Sequence, residues 1–256
     1  MNLRKIPNPN FSQKRVDEIS QKFKVSKYVA ELLLSRDIVR DNEIAAFLKP
    51  SIADMHDPFL FNEMDVVVTR IKQAIEKHEN VLIFGDYDVD GITSTFILLD
   101  YFKSVGLNVA TFLPNRYSDG YGLTRDAVEF VLKEYQPNLI ITVDCGISGA
   151  EEVDYIKSRG VDVIVTDHHD CPEVLPKCPI IDAKLPNQKY PFRELCGAGV
   201  ALKLVEALSN RETALKYLPV CAIATVSDIV PLVDENRVIV KLGLSTICMG
   251  INDSTS

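Results

Sequence analysis

The sequence predicts an α/β fold, a parallel sheet with helices on both faces, preceded by an N-terminal helical arm. Two observations predict the sheet: short runs of branched apolar residues alternate with helical patterns, and this unit recurs along the middle of the chain. Apolar strands separated by helices are typical of βαβ crossovers, in which helices cover both faces. A third observation, the helical spacing of apolar residues near the amino terminus, predicts the arm.

The arm is predicted over residues 1–62. Its apolar residues fall at helical spacing in two stripes, which comprise Val16, Ile19 and Phe23, then Tyr28, Val29, Leu32 and Leu33. Pro50 and Pro58 indicate a connecting loop over 48–61. A further helix is expected over 63–78, with its inward residues at Val67, Ile71, Ala74 and Ile75.

The sheet begins where the apolar run Val81-Leu82-Ile83-Phe84 ends in Gly85. Strands are predicted at 81–84, 109–113, 139–143 and 161–166, and the intervening helices at 93–105, 124–134 and 150–158. Two further helices are expected at 198–208 and 213–225. One domain is placed at 63–243, followed by a tail at 244–256.

Composition limits the function classes. The chain has 256 residues and a net charge of −8, from 36 acidic and 28 basic residues. Bulk positive charge therefore cannot provide nucleic-acid binding, which must be local or assisted by metal ions. The amino terminus lacks a signal peptide, no apolar run is long enough to span a membrane, and the six cysteines form no Cys-x-x-Cys pair. We expect a cytoplasmic protein with no membrane association.

Acidic and imidazole side chains follow three predicted strands and one later apolar segment. They are Asp86, Asp88 and Asp90; Asp144; Asp167, His168, His169 and Asp170; and Asp228. Ligands bind outside the carboxyl ends of parallel strands, so we expect these groups to meet. Crowded carboxylates repel one another, and divalent cations relieve that repulsion. Asp oxygens with imidazole nitrogen suit Mn²⁺, with Mg²⁺ possible, and two ions sharing an Asp predict phosphoester hydrolysis.

Each group also has a simpler interpretation. Asp and Gly are common turn residues after a strand, and Asp144 alone could cap a helix. The 86–91 loop resembles a calcium loop, but Ile97 stands where that loop requires Glu. Cys171 and Cys178 follow the two histidines and leave zinc as a chemical rival, although their spacing is not that of a standard zinc knuckle.

Four ordered motifs carry a family resemblance. Asp-Tyr-Asp-Val-Asp-Gly at 86–91, Val-Asp-Cys-Gly at 143–146, Thr-Asp-His-His at 166–169 and Ser-Asp-Ile-Val-Pro-Leu at 227–232 resemble the DHH phosphoesterase family, and within it the RecJ-type exonucleases. The resemblance implies a hydrolase that cuts single-stranded DNA from the 5′ end and releases nucleoside 5′-monophosphates in DNA repair and recombination. It also implies helicase and single-strand-binding protein as partners.

The resemblance further implies a role for each matching residue. Two divalent cations would be held by Asp88, Asp90, Asp144, His168 and Asp228, with Asp144 bridging them. Asp86 would be an outer ligand, and His169 would contact the scissile phosphate with Asp167 orienting the site. Arg116, in the loop after the second strand, is expected to bind a phosphate, with an exposed loop charge as the alternative.

The chain also departs from the family pattern. Asp182-Ala183 stands where the family usually has Asn-Pro, and no Gly-Gly-His occurs. We therefore expect a truncated chain that lacks the second DHH-associated domain and the oligonucleotide-binding barrel. Two alternatives stay open: a stand-alone phosphodiesterase acting on short oligonucleotides or dinucleotides, and a folded but inactive remnant.

Overall fold

The computed structural model describes residues 11–114 and 122–254, with side chains as far as residue 249. The chain divides into two compact units, Met1–Asp54 and Met55–Ser256. The first unit contains helices α1 (Gln13–Phe23), α2 (Lys27–Leu34) and α3 (Asp41–Leu48). Ser12 and Ser26 cap the first two helices by accepting hydrogen bonds from Arg15 N and Val29 N, as short polar side chains do at helix starts.

The first unit has its own apolar core, which confirms one predicted stripe and corrects the other. Val16 and Ile19 are fully buried. In α2, however, Tyr28 is 75% exposed and Leu32 is 55% exposed, so the second predicted stripe is not the buried face of this helix. The buried face of this helix passes instead through Ala30, Leu33 and Leu34. Several adjacent apolar residues in a short helix permit more than one inward face, and packing selects one of them.

The second unit is built on a sheet of five parallel strands, which confirms the predicted fold class. The strands are β1 (Val81–Phe84), β2 (Val109–Phe112), β3 (Leu139–Val143), β4 (Asp162–Thr166) and β5 (Ile180–Ile181). Their order across the sheet is β2-β1-β3-β4-β5. The sequence did not predict β5, because two apolar residues are too few to show strand periodicity.

Both faces of the sheet are covered, as the continuous apolar strands predict. In β1, Ile83 packs into the larger core, while Leu82 and Phe84 pack into the smaller core on the opposite face. Successive side chains of a strand point to opposite faces, so a strand buried on both sides must be apolar throughout. The central strands β1 and β3 are buried at every position, as this requirement demands.

The first five helices of the second unit agree closely with the predicted segments, whereas the last one was not predicted. They are α4 (Met64–Glu76), α5 (Val89–Ser104), α6 (Arg125–Tyr135), α7 (Ala150–Ser158), α8 (Gly197–Leu208), α9 (Arg211–Leu215), α10 (Leu218–Ser227) and α11 (Asp234–Ser254). The single helix predicted over 213–225 was wrong. The chain turns there, and Pro219 stands in the first turn of α10, where a missing N–H costs no hydrogen bond. None of the helices in the described part of the chain has the length and apolar character needed to cross a membrane.

Candidate metal centre

The order of the strands creates a crevice at the carboxyl edge of the sheet. The chain leaves β1 for β2 on one side, whereas β3 pairs with β1 on the other side. Ligands bind at such a switch point, outside the carboxyl ends of the strands. Asp86, Asp88 and Asp90 follow β1, and Asp144 follows β3, so the two loops that flank the crevice both carry carboxylates.

The loop after β1 holds two carboxylates in different environments. Asp88 is the N-cap of α5 and accepts a hydrogen bond from Gly91 N at 3.0 Å. Asp86 is buried, and its Oδ1 has no hydrogen-bond partner among the described residues. Burial, together with the charge of Asp88, raises the pKa of Asp86. Gly91 is required here, because a Cβ at that position would lie 2.5 Å from the carbonyl oxygen of Asp86.

Asp90 is held by the first turn of α8. Its Oδ2 accepts a hydrogen bond from Gly197 N at 2.6 Å, and its Oδ1 accepts one from Ala198 N at 2.8 Å. A helix N-terminus offers unpaired N–H groups and a positive dipole end, both of which favour a carboxylate. Burial nevertheless raises the pKa of Asp90. This anchor was not predicted from the sequence, although the Gly-Ala-Gly run at 197–199 allows a close backbone approach.

Asp144 lies at the centre of the site. Its backbone has the left-handed φ of 59°, and its side chain is almost fully buried. Burial, followed by the charges of Asp90 and Asp88, raises the pKa of Asp144 to about 10. Its Oδ1 lies 3.0 Å from His168 Nε2 but in an orientation that makes no hydrogen bond. The carboxylate therefore carries a buried oxygen that lacks a hydrogen-bond partner within the described chain.

His168 brings the remaining ligand candidates together. Its Nε2 lies 3.6 Å from Asp90 Oδ2, and its Nδ1 lies 3.8 Å from Asp228 Oδ2. Asp228 follows the last residue of α10 and is partly buried, and burial raises its pKa. The helix end thus presents Asp228 to the carboxyl edge of the sheet.

His169 is oriented by Asp167. Oδ1 of Asp167 lies 2.7 Å from His169 Nδ1 and accepts a hydrogen bond from His168 N at 2.7 Å, while Oδ2 accepts one from Ile147 N at 2.9 Å. Burial opposes the charge on Asp167, but these hydrogen bonds, above all that from His169, keep its pKa below the usual range. The same hydrogen bond raises the pKa of His169.

The candidate ligand atoms form three overlapping groups, each within 4.8 Å. These groups are Asp86, Asp88 and Asp144; Asp144, His168 and His169; and Asp90, His168 and Asp228. Asp144 and His168 each belong to two groups. Carboxylate oxygens with imidazole nitrogen, two buried oxygens without partners in the described chain, and raised carboxyl pKa values all fit divalent cations such as Mn²⁺ and Mg²⁺. Cys171 and Cys178 belong to none of the groups found among the described residues.

Eight of the nine predicted site residues therefore lie at one edge of the sheet. The ninth, Arg116, lies outside the described residues. Asp182 and Lys184, which follow β5, were not predicted to have a functional role. No pattern could have indicated them, because β5 itself was not predicted.

Comparison with known proteins agrees with this architecture. The family described as DHH family, N-terminal domain, matches residues 80–225. The single-stranded-DNA-specific exonuclease RecJ of Bacillus subtilis (strain 168) is 40% identical over 236 residues, or 92% of this chain and 30% of that protein.

Two solved structures are also similar. A crystal structure of exonuclease RecJ bound to manganese matches with a TM-score of 0.68 and 32% identity, covering 75% of this chain and 49% of that one. RecJ in complex with Mn²⁺ from Thermus thermophilus matches with a TM-score of 0.75 and 28% identity, covering 91% of this chain and 33% of that one. The chain thus spans less than half the length of each of these relatives. Because the family match covers more than half of the chain and extends from β1 into α10, the chain belongs to the DHH family, and it is similar to RecJ exonucleases.

Proposed function

We propose that this chain is the catalytic portion of a metal-dependent, single-strand-specific DNA exonuclease that works in the 5′→3′ direction. The observation that carries the proposal is the position of Asp144, whose buried carboxylate belongs to two of the three ligand groups. A carboxylate shared in this way suits two cations that act on one phosphodiester. The similarity to RecJ exonucleases supports the choice of substrate.

Within this proposal, each residue has a separate role. Two divalent cations, with Mn²⁺ preferred and Mg²⁺ as an alternative, would be held by Asp88, Asp90, Asp144, His168 and Asp228, with Asp86 as an outer ligand. When bound, the cations would supply positive charge to the scissile phosphate and lower the pKa of the attacking water. The amides of Gly197 and Ala198 keep Asp90 in place for this task.

His169 would act on the substrate directly. With Nδ1 held by Asp167, its Nε2 would donate a hydrogen bond to a non-bridging oxygen of the scissile phosphate. The raised pKa of His169 favours the protonated form that this role requires. Water attacks phosphorus and the bond to O3′ of the terminal nucleotide breaks. The terminal nucleotide leaves as a 5′-monophosphate, and the shortened strand keeps a 5′-phosphate.

We also propose a domain organisation, a phosphate-binding residue, a localisation and partners for this chain. Residues 63–243 form the catalytic domain, residues 1–62 the arm, and residues 244–256 a tail. Arg116 binds a substrate phosphate, the enzyme works in the cytoplasm in DNA repair, and helicase and single-strand-binding protein are its partners. The lengths of the relatives support action alongside further domains.

The test is Mn²⁺-dependent digestion of a 5′-phosphorylated, 3′-labelled single-stranded oligonucleotide, with Asp88→Ala as the inactive variant. We expect the labelled strand to shorten stepwise from the 5′ end and to release mononucleotides, and we expect Asp88→Ala to lose this activity. A duplex of the same sequence should resist digestion, and a dinucleotide should be cut more slowly.

Three other results would contradict the proposal. Faster hydrolysis of the dinucleotide would identify a small phosphodiesterase. Binding of Mn²⁺ without digestion of either substrate would identify an inactive chain. Digestion that persists in Asp88→Ala would show that the proposed metal centre is not required for the reaction.

A further inference from the structure

The loop between β5 and α8 places a lysine beside the metal centre. Lys184 lies two residues beyond Asp182, which directly follows β5, and β5 pairs with β4 in parallel. The loop therefore leaves the same carboxyl edge from which Asp167 and His168 leave β4. The Lys184 ammonium group also lies beside Asp170, which directly follows His169 at this edge.

The backbone of Lys184 is held on both sides. Its N–H donates a hydrogen bond to Asp182 Oδ1 at 2.7 Å, and its carbonyl oxygen accepts one from Arg193 Nη2 at 2.7 Å. The loop is further tied by Gln188 Nε2, which donates to the carbonyl oxygen of Asp182 at 3.1 Å. A cation on a backbone held in this way loses less conformational freedom on binding a ligand than one on a free loop.

The partner of Lys184 in this structure is an exposed carboxylate that a bound DNA phosphate can replace. Lys184 Nζ lies 3.2 Å from Asp170 Oδ1, and the side chain of Asp170 is 95% exposed whereas that of Lys184 is 24% exposed. Ion pairs with so exposed a carboxylate contribute little, because water screens both charges. A backbone phosphodiester also presents two charged non-bridging oxygens, and a strand whose scissile phosphate is already bound holds the next phosphate close to the ammonium group at a high effective concentration.

We infer that Lys184 binds a backbone phosphate of the single-stranded DNA next to the scissile one, and that this phosphate replaces Asp170 as its partner. The inference rests on the proposed function and adds a substrate-binding residue to it. In a chain with a net charge of −8, a cation beside the acidic centre offsets the repulsion between these carboxylates and the incoming strand. Asp170 then acts as a competitor that weakens binding.

The test measures binding and turnover separately. Binding is followed by fluorescence anisotropy of a 5′-phosphorylated oligothymidylate with nuclease-resistant phosphorothioate linkages, in Mn²⁺ and over a range of salt concentrations. The variants are Lys184→Ala, Lys184→Arg and Asp170→Asn. The matched control is Lys177→Ala, which removes the same charge from the loop on the amino side of β5, where the Lys177 side chain is 79% exposed.

We expect Lys184→Ala to weaken binding by roughly 5- to 10-fold and to reduce the salt dependence by about one phosphate contact. KM for the unmodified strand should rise with little change in kcat. Lys184→Arg should retain binding, and Asp170→Asn should tighten it about 2- to 5-fold. Mn²⁺ binding to Lys184→Ala should equal that of the wild type, since Lys184 is not a ligand.

The inference fails if Lys184→Ala and Lys177→Ala weaken binding equally, or if Asp170→Asn has no effect. These results would leave the proposed function standing, because the wild-type chain would still bind and digest DNA. A wild-type chain that binds the oligonucleotide but never digests the unmodified strand would contradict the proposed function alone. A wild-type chain that does not bind the oligonucleotide would overturn both.

Discussion

Oδ1 of Asp167 lies 2.7 Å from His169 Nδ1 and 2.7 Å from the backbone nitrogen of His168. One buried carboxylate therefore orients one histidine through its ring and the adjacent histidine through its backbone. The two imidazoles then have different tasks, because His168 faces Asp90, Asp144 and Asp228, whereas His169 is held by its Nδ1.

Replacing Asp167 by Asn should separate orientation from metal binding. The hydrogen bond from His169 would lose its charged acceptor, so the pKa of His169 should fall toward its ordinary value. We expect kcat to fall roughly 100- to 10,000-fold while Mn²⁺ stoichiometry is retained. NMR titration of His169 in EDTA, calorimetry and digestion assays measure these effects, with Asp154→Asn on α7 as the control. An unchanged pKa of His169 would show that Asp167 does not control it.

Replacing Asp144 by Ala should remove at least one bound Mn²⁺ per chain. The carboxylate belongs to two ligand groups, so neither group is complete without it. Isothermal calorimetry with Mn²⁺ measures the stoichiometry, and Asp154→Ala serves as a control that removes an acidic residue elsewhere. Full two-site occupancy in Asp144→Ala would contradict the assignment of Asp144 as the shared ligand.

Two glycines of α8 provide a matched test of the geometry around Asp144. A Cβ on Gly197 would lie 2.7 Å from Asp144 Cβ and 2.9 Å from its Oδ1. The nearest atom to a Cβ on Gly199 is the end of the Leu195 side chain, at 3.1 Å. We therefore expect Gly197→Ala to weaken Mn²⁺ binding by more than about 10-fold, as a displaced ligand does, whereas Gly199→Ala changes it little.

Calorimetry on both glycine variants, with circular dichroism to confirm folding, measures this difference. Equal Mn²⁺ affinity in the two variants would show that Asp144 tolerates displacement. An unfolded Gly197→Ala chain beside a folded Gly199→Ala chain would still place the close contact at residue 197, since both substitutions add one methyl group to the same helix.

The buried carboxyl group of Asp182 should make stability depend on pH. Burial raises the pKa of Asp182 to about 7, and its Oδ2 has no hydrogen-bond partner within the described chain. Because the folded-state pKa exceeds that of the unfolded chain, the folded state binds the proton more tightly. Stability is then lost as pH rises from about 4 to about 7, where the folded chain must also ionise.

Replacing Asp182 by Asn should remove the loss of stability that accompanies its ionisation. We expect the variant to gain stability over the wild type, and the gain to be about 3 kcal/mol larger at pH 8 than at pH 5. Urea unfolding in EDTA at the two pH values measures the difference. A gain that is equal at both values would show that Asp182 does not titrate in this range.

The elements that could be predicted from the sequence are those that depend on neighbouring residues. The continuous apolar runs of β1 and β3 indicated strands buried on both faces, and the apolar spacing of α4 correctly indicated Val67, Ile71 and Ala74 as buried. The carboxyl edge was also predictable, since parallel strands align their ends and β1, β3 and β4 are each followed directly by acidic residues. The local spacing of apolar residues shows the type of each element and its buried face, because both depend on residues within a few turns or one strand.

The tertiary structure decided what depends on residues far apart in the chain. Asp90 is held by amides 107 and 108 residues further along, and Asp228 reaches His168 from the end of a separate helix. Strand β5, which precedes Asp182 and Lys184, forms only because its two residues pair with the edge of β4. Such contacts form only once the whole sheet is assembled, since their free energy comes from burial and hydrogen bonds between distant segments rather than from local backbone preference.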